Sequence, residues 1–171
     1  MQFQVLGPLH VRDGEHTIDV TAPKQRALLL LLLLRGGRVV STDAMLDALW
    51  PDERPTTGIK TVRFHISKLR KALASGDSAG GGLSVIETRG NGYLVAVEHH
   101  DVDAHRFEAL ASAGRAELDA RPDRAQRLLS EALSLWRGRA YGDVAYEDFA
   151  VAESRRLEEL RLAATEHRIM A

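Results

Sequence analysis

The sequence predicts an α+β domain followed by an all-α helical domain, and three observations support this prediction. Apolar and polar residues alternate over the first 20 positions, as they do in short strands. Three segments with helical spacing follow within residues 23–74, and a glycine-containing hairpin pattern lies within residues 83–97. Residues 98–171 carry helical patterns alone. We therefore predict a mixed domain over residues 1–97 and a helical domain over residues 98–171.

The composition is that of a globular protein and excludes several functional classes. The 171 residues are 44% hydrophobic and 27% charged, and they include no cysteine, which excludes a disulfide scaffold, a thiol nucleophile and a cysteine-bound metal. The longest apolar run, residues 27–34, is much shorter than the about 20 residues of a membrane span. Residues 1–5 carry no secretory signal. We expect a soluble cytoplasmic protein with no membrane partner.

Charge divides unevenly along the chain. Residues 1–96 carry 12 Lys and Arg against 9 Asp and Glu, whereas residues 97–171 carry 11 against 15. The mildly basic first part and the acidic second part suggest two modules with different partners.

The N-terminal elements follow from alternation and from turn residues. Breaks at Gly7-Pro8 and Asp13-Gly14 predict short antiparallel strands joined by tight turns. Pro23 then begins a leucine-rich helix over residues 24–35, which ends at Gly36-Gly37. Because this helix is apolar on nearly every face, we expect it to be buried all round as the central rod of the core.

A second helix is predicted over residues 43–50, with Thr42 as its N-cap and Pro51 at its end. Four of its residues are expected to face inward: Ala44, Met45, Ala48 and Leu49. A polar loop, residues 51–58, leads to a third helix over residues 57–74. Two strands, residues 83–87 and 93–97, then flank Arg89-Gly90-Asn91-Gly92, where Asn-Gly is a strong hairpin signal.

The third helix is amphipathic in an unusual way. Its apolar residues step by three and four and form one stripe: Ile59, Val62, Ile66, Leu69 and Leu73. The opposite face carries Lys60, Phe64, Ser67, Lys68 and Lys71, with Arg63, His65 and Arg70 on its flanks. Residues 55–75 contain no acidic side chain, whereas solvated helix faces usually alternate charge signs.

Phe64 lies opposite the centre of the stripe, where folding gives no reason for a phenylalanine. A phenylalanine on a cationic face can meet a thymine methyl group in a major groove, which admits one helix. Arg89 at the base of the glycine-rich hairpin is suited to a minor groove. The pattern therefore favours contact with DNA, with a merely solvated basic face as the alternative.

The remaining residues predict three helices. Asp103 is expected to cap residues 104–120, Pro122 to begin residues 123–137, and a third helix to cover residues 147–169. The middle helix has an apolar face at helical spacing: Leu128, Leu129, Ala132, Leu133 and Trp136. Helical hairpins of this size resemble a tetratricopeptide array.

Several motifs resemble known families. Lys60–Leu73, followed by Ile86–Leu94, resembles the OmpR-type winged-helix DNA-binding domain. The segments Asp103–Phe107, Ala132–Gly138 and Glu158–Arg168 are similar to the bacterial transcriptional activation domain. The combination is similar to the Streptomyces antibiotic regulatory protein family. The resemblance implies an OmpR-type winged helix-turn-helix followed by a tetratricopeptide-like helical domain.

The resemblance also implies a set of DNA contacts. The matching residues are Thr42, Lys60, Thr61, Arg63, Phe64, Ser67, Lys68, Lys71, Arg89 and Asn91. Arg63, Phe64 and Lys68 are expected to read bases while the others position the protein, although Arg63 sits nearer the apolar stripe than Phe64 does. Thr42 is expected to offer its backbone N–H to a phosphate, since helix N-termini bind anions.

Protein partners are implied as well. In relatives of this type the loop before the third helix contacts RNA polymerase or its sigma factor, which singles out Asp52, Glu53 and Arg54. Two protomers are expected side by side on direct repeats near the −35 element of promoters that control antibiotic biosynthesis. No cofactor or metal and no catalytic residue is expected.

Two alternatives remain at this point. The first is a helical protein-interaction adaptor whose winged helix has lost DNA binding. The second is a metal-dependent enzyme that uses residues 99–101 with Asp103 and His105, but the spacing fits no standard zinc motif, and no Gly-x-Ser-x-Gly occurs.

Overall fold

A computed structural model describes residues 1–74 and 85–171. The N-terminal part contains β1 (Gln2–Gln4), β2 (His10–Asp13), β3 (His16–Ile18), α1 (Pro23–Leu34), β4 (Val40–Ser41), α2 (Thr42–Leu49), α3 (Gly58–Leu73), β5 (Ile86–Arg89) and β6 (Gly92–Val95). A 3₁₀ turn at His99–Asp101 precedes α4 (Asp103–Ala116), α5 (Pro122–Ser134) and α6 (Asp148–Met170). The predicted order of strands, three helices, hairpin and helices is confirmed. In the described part of the chain, no helix is both long and apolar enough to cross a bilayer.

The strands form two three-stranded antiparallel sheets. The order is β1-β2-β3 in the first and β4-β6-β5 in the second. Strand β4 was not predicted, because two residues are too few to show alternation; it pairs Val40 with Tyr93. Strands β5 and β6 end nearer the hairpin tip than predicted, and residues 83 and 84 of the predicted strand lie outside the described residues.

The hairpin turn differs in register from the prediction. Arg89 pairs with Gly92, so the two central residues are Gly90 and Asn91 rather than Asn91 and Gly92. Gly90 has a φ of 57°, and Asn91 has a negative φ, which is the pattern of a type II′ turn. Gly92 is instead needed because a Cβ there would lie 2.3 Å from the Val40 carbonyl oxygen.

Helix α1 is the central rod that the sequence predicts. Six consecutive leucines, residues 28–33, are at most 2% exposed. Helices α2, α3 and α6 and strand β6 all pack against α1. Because elements of both halves of the chain share this helix, one hydrophobic core runs through the molecule.

Helix α2 corrects the predicted cap. Ser41 is the N-cap, and its Oγ accepts a hydrogen bond from the Ala44 N–H at 3.1 Å. Thr42 is therefore the first helical residue, one position earlier than expected. Ala44 is exposed and Leu46 is buried instead, so the inward face was correct only for Met45 and Leu49, with Ala48 partly buried.

Asp103 does not cap α4 as predicted. Its side chain is buried and points back to the first strand, where Oδ1 accepts the Val5 N–H at 2.7 Å and Oδ2 accepts the Leu6 N–H at 3.2 Å. Burial raises the pKa of Asp103, and the two N–H donors act in the opposite direction. The residue fastens the helical part to the β1–β2 connection.

Further bonds hold the same connection from the other side. The N–H groups of Arg137, Tyr141 and Gly142 donate to the carbonyl oxygens of Leu6, Val5 and Gly7 at 2.8, 2.7 and 3.2 Å. The Arg26 guanidinium on α1 binds both carboxylate oxygens of Asp143. Residues 5–7 are thus enclosed by the helical part, which fixes α4–α6 relative to α1 and, through α1, relative to α3.

Candidate nucleic-acid interface

Helix α3 packs into the core through most of its predicted apolar stripe. Val62, Ile66, Leu69 and Leu73 are at most 5% exposed, but Ile59 is 53% exposed. The prediction that Ile59 lies in the core is wrong. The reason is local: α2 meets the start of α3 at Gly58, where a Cβ would lie 2.9 Å from a Leu46 methyl, so Ile59 projects past this contact.

The face opposite the stripe is open to solvent, as predicted. Phe64 is 56% exposed, which is unusual for a phenylalanine. The Lys68 ammonium lies 5.5 Å from the centre of the Phe64 ring, within the range of a cation–π contact. Lys60, Ser67 and Lys71 are exposed on the same face. This surface therefore combines one aromatic ring with several positive charges.

Four of the six cations of residues 54–71 show two kinds of environment. Arg54 returns to α2, where it binds Asp47 and lies 3.7 Å from the Asp43 carboxylate. Arg70 donates to the Ile86 carbonyl at 2.9 Å and to the Thr88 hydroxyl at 2.8 Å, so it ties α3 to the hairpin. By contrast, Lys60 and Arg63 form no ion pair with any described residue. Sequence reasoning could not separate these two kinds, because the distinction depends on tertiary contacts.

His65 is a packing residue on the flank of the helix. Its ring lies 6.0 Å from the Trp50 ring and 5.5 Å from the Phe64 ring. Burial lowers the pKa of His65, and the nearby Lys24 charge lowers it further. The neutral form is therefore favoured, which suits a ring that packs against the Trp50 and Phe64 rings.

The hairpin formed by β5 and β6 stands beside α3. Arg89 is exposed near its tip and forms an ion pair with Glu87. This pair is on the surface and two residues apart, so little free energy holds it. Asn91, at the tip, is also exposed.

Thr42 is held differently from the prediction. Its backbone N–H and its hydroxyl both donate to the Asn91 carbonyl oxygen, at 3.0 and 2.7 Å. The expectation that this N–H is free for a phosphate is therefore wrong. The two bonds instead fasten the N-terminus of α2 to the hairpin tip.

A groove of about 360 Å³ lies between the first half of α3 and the tip of the hairpin. Its walls come from α2, α3 and the hairpin: Thr42, Asp43, Ile59, Arg63, Thr88, Gly90, Asn91, Gly92 and Tyr93. The expected contact residues thus form two groups, one on the outward face of α3 around Phe64 and one around this groove.

The loop before α3 presents the residues expected to meet the transcription machinery. Asp52 and Glu53 are exposed. Arg54 is about half exposed, and its ion pairs with α2 hold the loop against that helix. The loop therefore presents two exposed carboxylates next to the N-terminal end of α3, and surface ion pairs of Arg54 link it to α2.

The histidines near residue 100 are arranged by packing. The rings of His99 and His105 lie 4.2 Å apart, and burial lowers the pKa of His105. Asp103 points away from them toward Val5 and Leu6. Among the described residues, no group of three or more His, Asp or Glu side chains is placed to hold a metal ion.

Two protein-family models match the chain. Residues 15–95 match the family described as transcriptional regulatory protein, C terminal, and residues 102–171 match the bacterial transcriptional activator domain. The two models follow one another along the chain in the order expected from its motifs.

Curated relatives match both parts together. The chain is 33% identical to regulatory protein AfsR of Streptomyces griseus over 99% of its length and 16% of AfsR. It is 35% identical to regulatory protein DnrI of Streptomyces peucetius over 99% of its length and 64% of DnrI. It is 33% identical to transcriptional regulator RedD of Streptomyces coelicolor over all of its length and 49% of RedD. The chain therefore spans less than two thirds of each of these relatives.

A solved structure has the same fold. Mycobacterium tuberculosis EmbR, in complex with a low affinity phosphopeptide, superposes with a TM-score of 0.87 at 30% sequence identity. The match covers 98% of this chain and 44% of EmbR. The arrangement of the two parts is thus common to both proteins.

Proposed function

This chain belongs to the Streptomyces antibiotic regulatory protein family, and from that premise we propose that it is a sequence-specific DNA-binding transcriptional activator. Residues 1–97 are the OmpR-type winged helix and residues 98–171 belong to the activation domain. The observation that carries this proposal is the outward face of α3. An exposed phenylalanine lies there beside Lys60 and Lys68, which form no ion pair with a described residue.

In this proposal α3 enters a major groove and the hairpin enters the adjacent minor groove. The contact residues are Lys60, Thr61, Arg63, Phe64, Ser67, Lys68, Lys71, Arg89 and Asn91, whereas Thr42 fastens α2 to the hairpin tip. Phe64 and Lys68 read bases: the ring edge meets a thymine methyl group, and the ammonium donates to guanine O6 or N7. Their cation–π contact supports this role, because it orients both side chains before DNA arrives.

Activation requires a partner in the transcription machinery, and the proposed partner is the sigma factor of RNA polymerase. The exposed charges Asp52 and Glu53 form the contact surface, and Arg54 links their loop to α2 through a surface ion pair with Asp47. Two protomers bind direct repeats near the −35 element of promoters for antibiotic biosynthesis. Such a protein acts in the cytoplasm, on the nucleoid.

The salt dependence of DNA binding tests the proposal. With about five phosphate contacts, the logarithm of the association constant should fall against the logarithm of salt concentration with a slope of roughly −4.5. The probe is a duplex enriched from random-sequence DNA by the protein itself. A slope near zero, or no enriched duplex, would contradict the proposal, and capture of sigma factor without DNA binding would favour a protein-interaction adaptor.

Single variants test whether the outward face of α3 contacts DNA. Lys60→Ala should weaken binding to all duplexes alike, whereas Lys68→Ala should also relax preference at one base pair, at a cost of about 1–3 kcal/mol. Arg127→Ala on α5 is the matched control, since Arg127 is an exposed arginine far from α3 in sequence. Equal binding by all three variants and the parent would mean that α3 does not face DNA.

A further inference from the structure

We infer that the groove between α3 and the hairpin binds one sugar–phosphate unit of the DNA strand that separates the major groove from the minor groove, and that Arg63 is its phosphate ligand. This inference rests on the proposed function and deepens it. It changes the role expected for Arg63, which then positions the protein on DNA and reads no base.

The direction of Arg63 is set by helix geometry. Each residue turns an α-helix by about 100°, so Arg63 points well away from Phe64. Arg70, seven residues further along, lies on nearly the same side as Arg63, and it reaches the hairpin directly through Ile86 and Thr88. Arg63 therefore faces the hairpin, and it lines the groove together with Thr88 and Asn91.

The geometry of a duplex places backbone at this point. A protein with a helix in the major groove and a hairpin in the neighbouring minor groove spans the strand that divides the two grooves. That strand offers phosphates and deoxyriboses and carries no base-specific pattern. The groove of about 360 Å³ lies between the two elements and is therefore the surface over which this strand passes.

The lining suits that occupant. Arg63 is exposed and has no acidic partner among the described residues, so its guanidinium is available to pair with two phosphate oxygens. Ile59, which is 53% exposed, offers an apolar wall to a deoxyribose ring. The Thr42–Asn91 hydrogen bonds close the far end of the groove. A side chain that folding leaves in water would thus gain a partner on binding.

Asp43 should act against phosphate binding in the same groove. It is the only acidic side chain among the described residues that line the groove, and Arg54 lies 3.7 Å from it. A carboxylate beside a bound phosphate weakens binding whatever the base sequence. Removing its charge should therefore raise affinity for every duplex.

A phosphate-by-phosphate cycle tests the assignment. The probe is the duplex enriched by the parent protein, together with copies that carry one neutral methylphosphonate at successive positions. Arg63→Ala should lower affinity about tenfold on all sequences and reduce the magnitude of the salt slope by about 0.9. One methylphosphonate should weaken the parent by a similar factor and leave the Arg63→Ala variant unaffected. The base preferences of the variant should equal those of the parent.

Asp43→Asn and its control complete the test. Asp43→Asn should tighten binding about threefold on every duplex, the size typical of one exposed charge interaction. Asp47→Asn also removes a partner of Arg54 but lies outside the groove, so it should not tighten binding. A relaxed preference at one base pair in Arg63→Ala, with an unchanged salt slope, would overturn the inference while leaving the proposed function intact. If the parent bound no duplex, both would be overturned.

Discussion

Most arginines in helices α4–α6 lie against carboxylates, whereas Lys60, Arg63 and Lys68 on α3 form no ion pair with a described residue. The pairs in the helical part are Arg106–Glu131, Arg121–Glu117, Arg124–Glu117, Arg155–Glu159, Arg156–Glu108, Arg156–Glu153 and Arg161–Glu158. On α3, Lys60 and Arg63 have no such partner among the described residues. Both regions contain many basic residues, so the number of charges does not distinguish them.

The difference shows what makes a surface available to phosphate. Exposed ion pairs add little stability, typically about 0–1 kcal/mol each, but they cancel local charge. An unpaired cation keeps its full field and releases counterions when a phosphate replaces them. We therefore read α4–α6 as a surface for other contacts and α3 as the surface for nucleic acid.

The largest effect is expected where α4 is fastened to the β1–β2 connection. Asp103→Ala would leave the buried N–H groups of Val5 and Leu6 without acceptors, which should lower the free energy of unfolding by about 3 kcal/mol. For a domain of this size that is a fall in Tm of roughly 6–12 °C. Urea and thermal unfolding measure it, with the exposed Asp119→Ala as control. Equal stability of the two variants would mean that the junction does not depend on this carboxylate.

The next effect separates the two charged surfaces directly. Lys60→Glu combined with Lys68→Glu should weaken DNA binding at least about 100-fold, because the double variant reverses one phosphate-facing charge and one base-facing charge. The unfolding free energy should change by less than about 0.5 kcal/mol, since both side chains are exposed. Arg155→Glu on α6 is the matched reversal and should leave DNA affinity unchanged. A similar loss from Arg155→Glu would remove the distinction between the regions.

A smaller effect concerns the exposed ring. Phe64→Ala should cost about 1–3 kcal/mol of DNA binding on a duplex with a thymine at the contacted position. Replacing that thymine by deoxyuridine should cost the parent affinity and cost the variant nothing further. Leu162→Ala on α6, where the side chain is 61% exposed, is the apolar control. If Phe64→Ala and Leu162→Ala bind alike, the ring has no role in recognition.

The smallest effect is a pH dependence of stability. Burial lowers the pKa of both His65 and His105, so the unfolded chain takes up protons more readily than the folded one. The resulting stability is present above the usual histidine value of about 6.5 and is lost as pH falls through the lower folded value. The urea midpoint should therefore fall between pH 7.5 and 5.5, and it should fall less in His65→Gln. In the exposed His100→Gln variant the urea midpoint should fall as much as in the parent. An identical fall in all three proteins would contradict this account.

Much of the fold could be predicted because it depends on the periodicity of apolar residues within single elements. The run of seven leucines at residues 28–34 predicts a helix that is buried all round, and six of them are at most 2% exposed in α1. A phenylalanine opposite an apolar stripe must be exposed if the stripe is buried, and Phe64 is exposed. Both predictions depend only on the period of the helix.

The residues that escaped prediction depend on partners distant in sequence. Ile59 fits the periodic stripe, but Gly58 makes the contact with α2 that would otherwise have covered it. Asp103 is of a residue type that commonly caps helices, yet its carboxylate oxygens accept hydrogen bonds from the N–H groups of Val5 and Leu6, almost 100 positions away. Arg70 and Arg63 are the same residue type on one helix, and only the position of the hairpin makes one structural and leaves the other free for a ligand.

The bonds between Thr42 and Asn91 have a consequence for the kind of duplex that the protein accepts. Since the hairpin tip is fastened to α2, and α2 packs on α3, the distance between the two elements proposed to contact DNA is held constant. A rigid span of this sort acts as a gauge of groove width. Sites whose minor groove is too wide or too narrow at the right distance would be rejected even when every contacted base is correct.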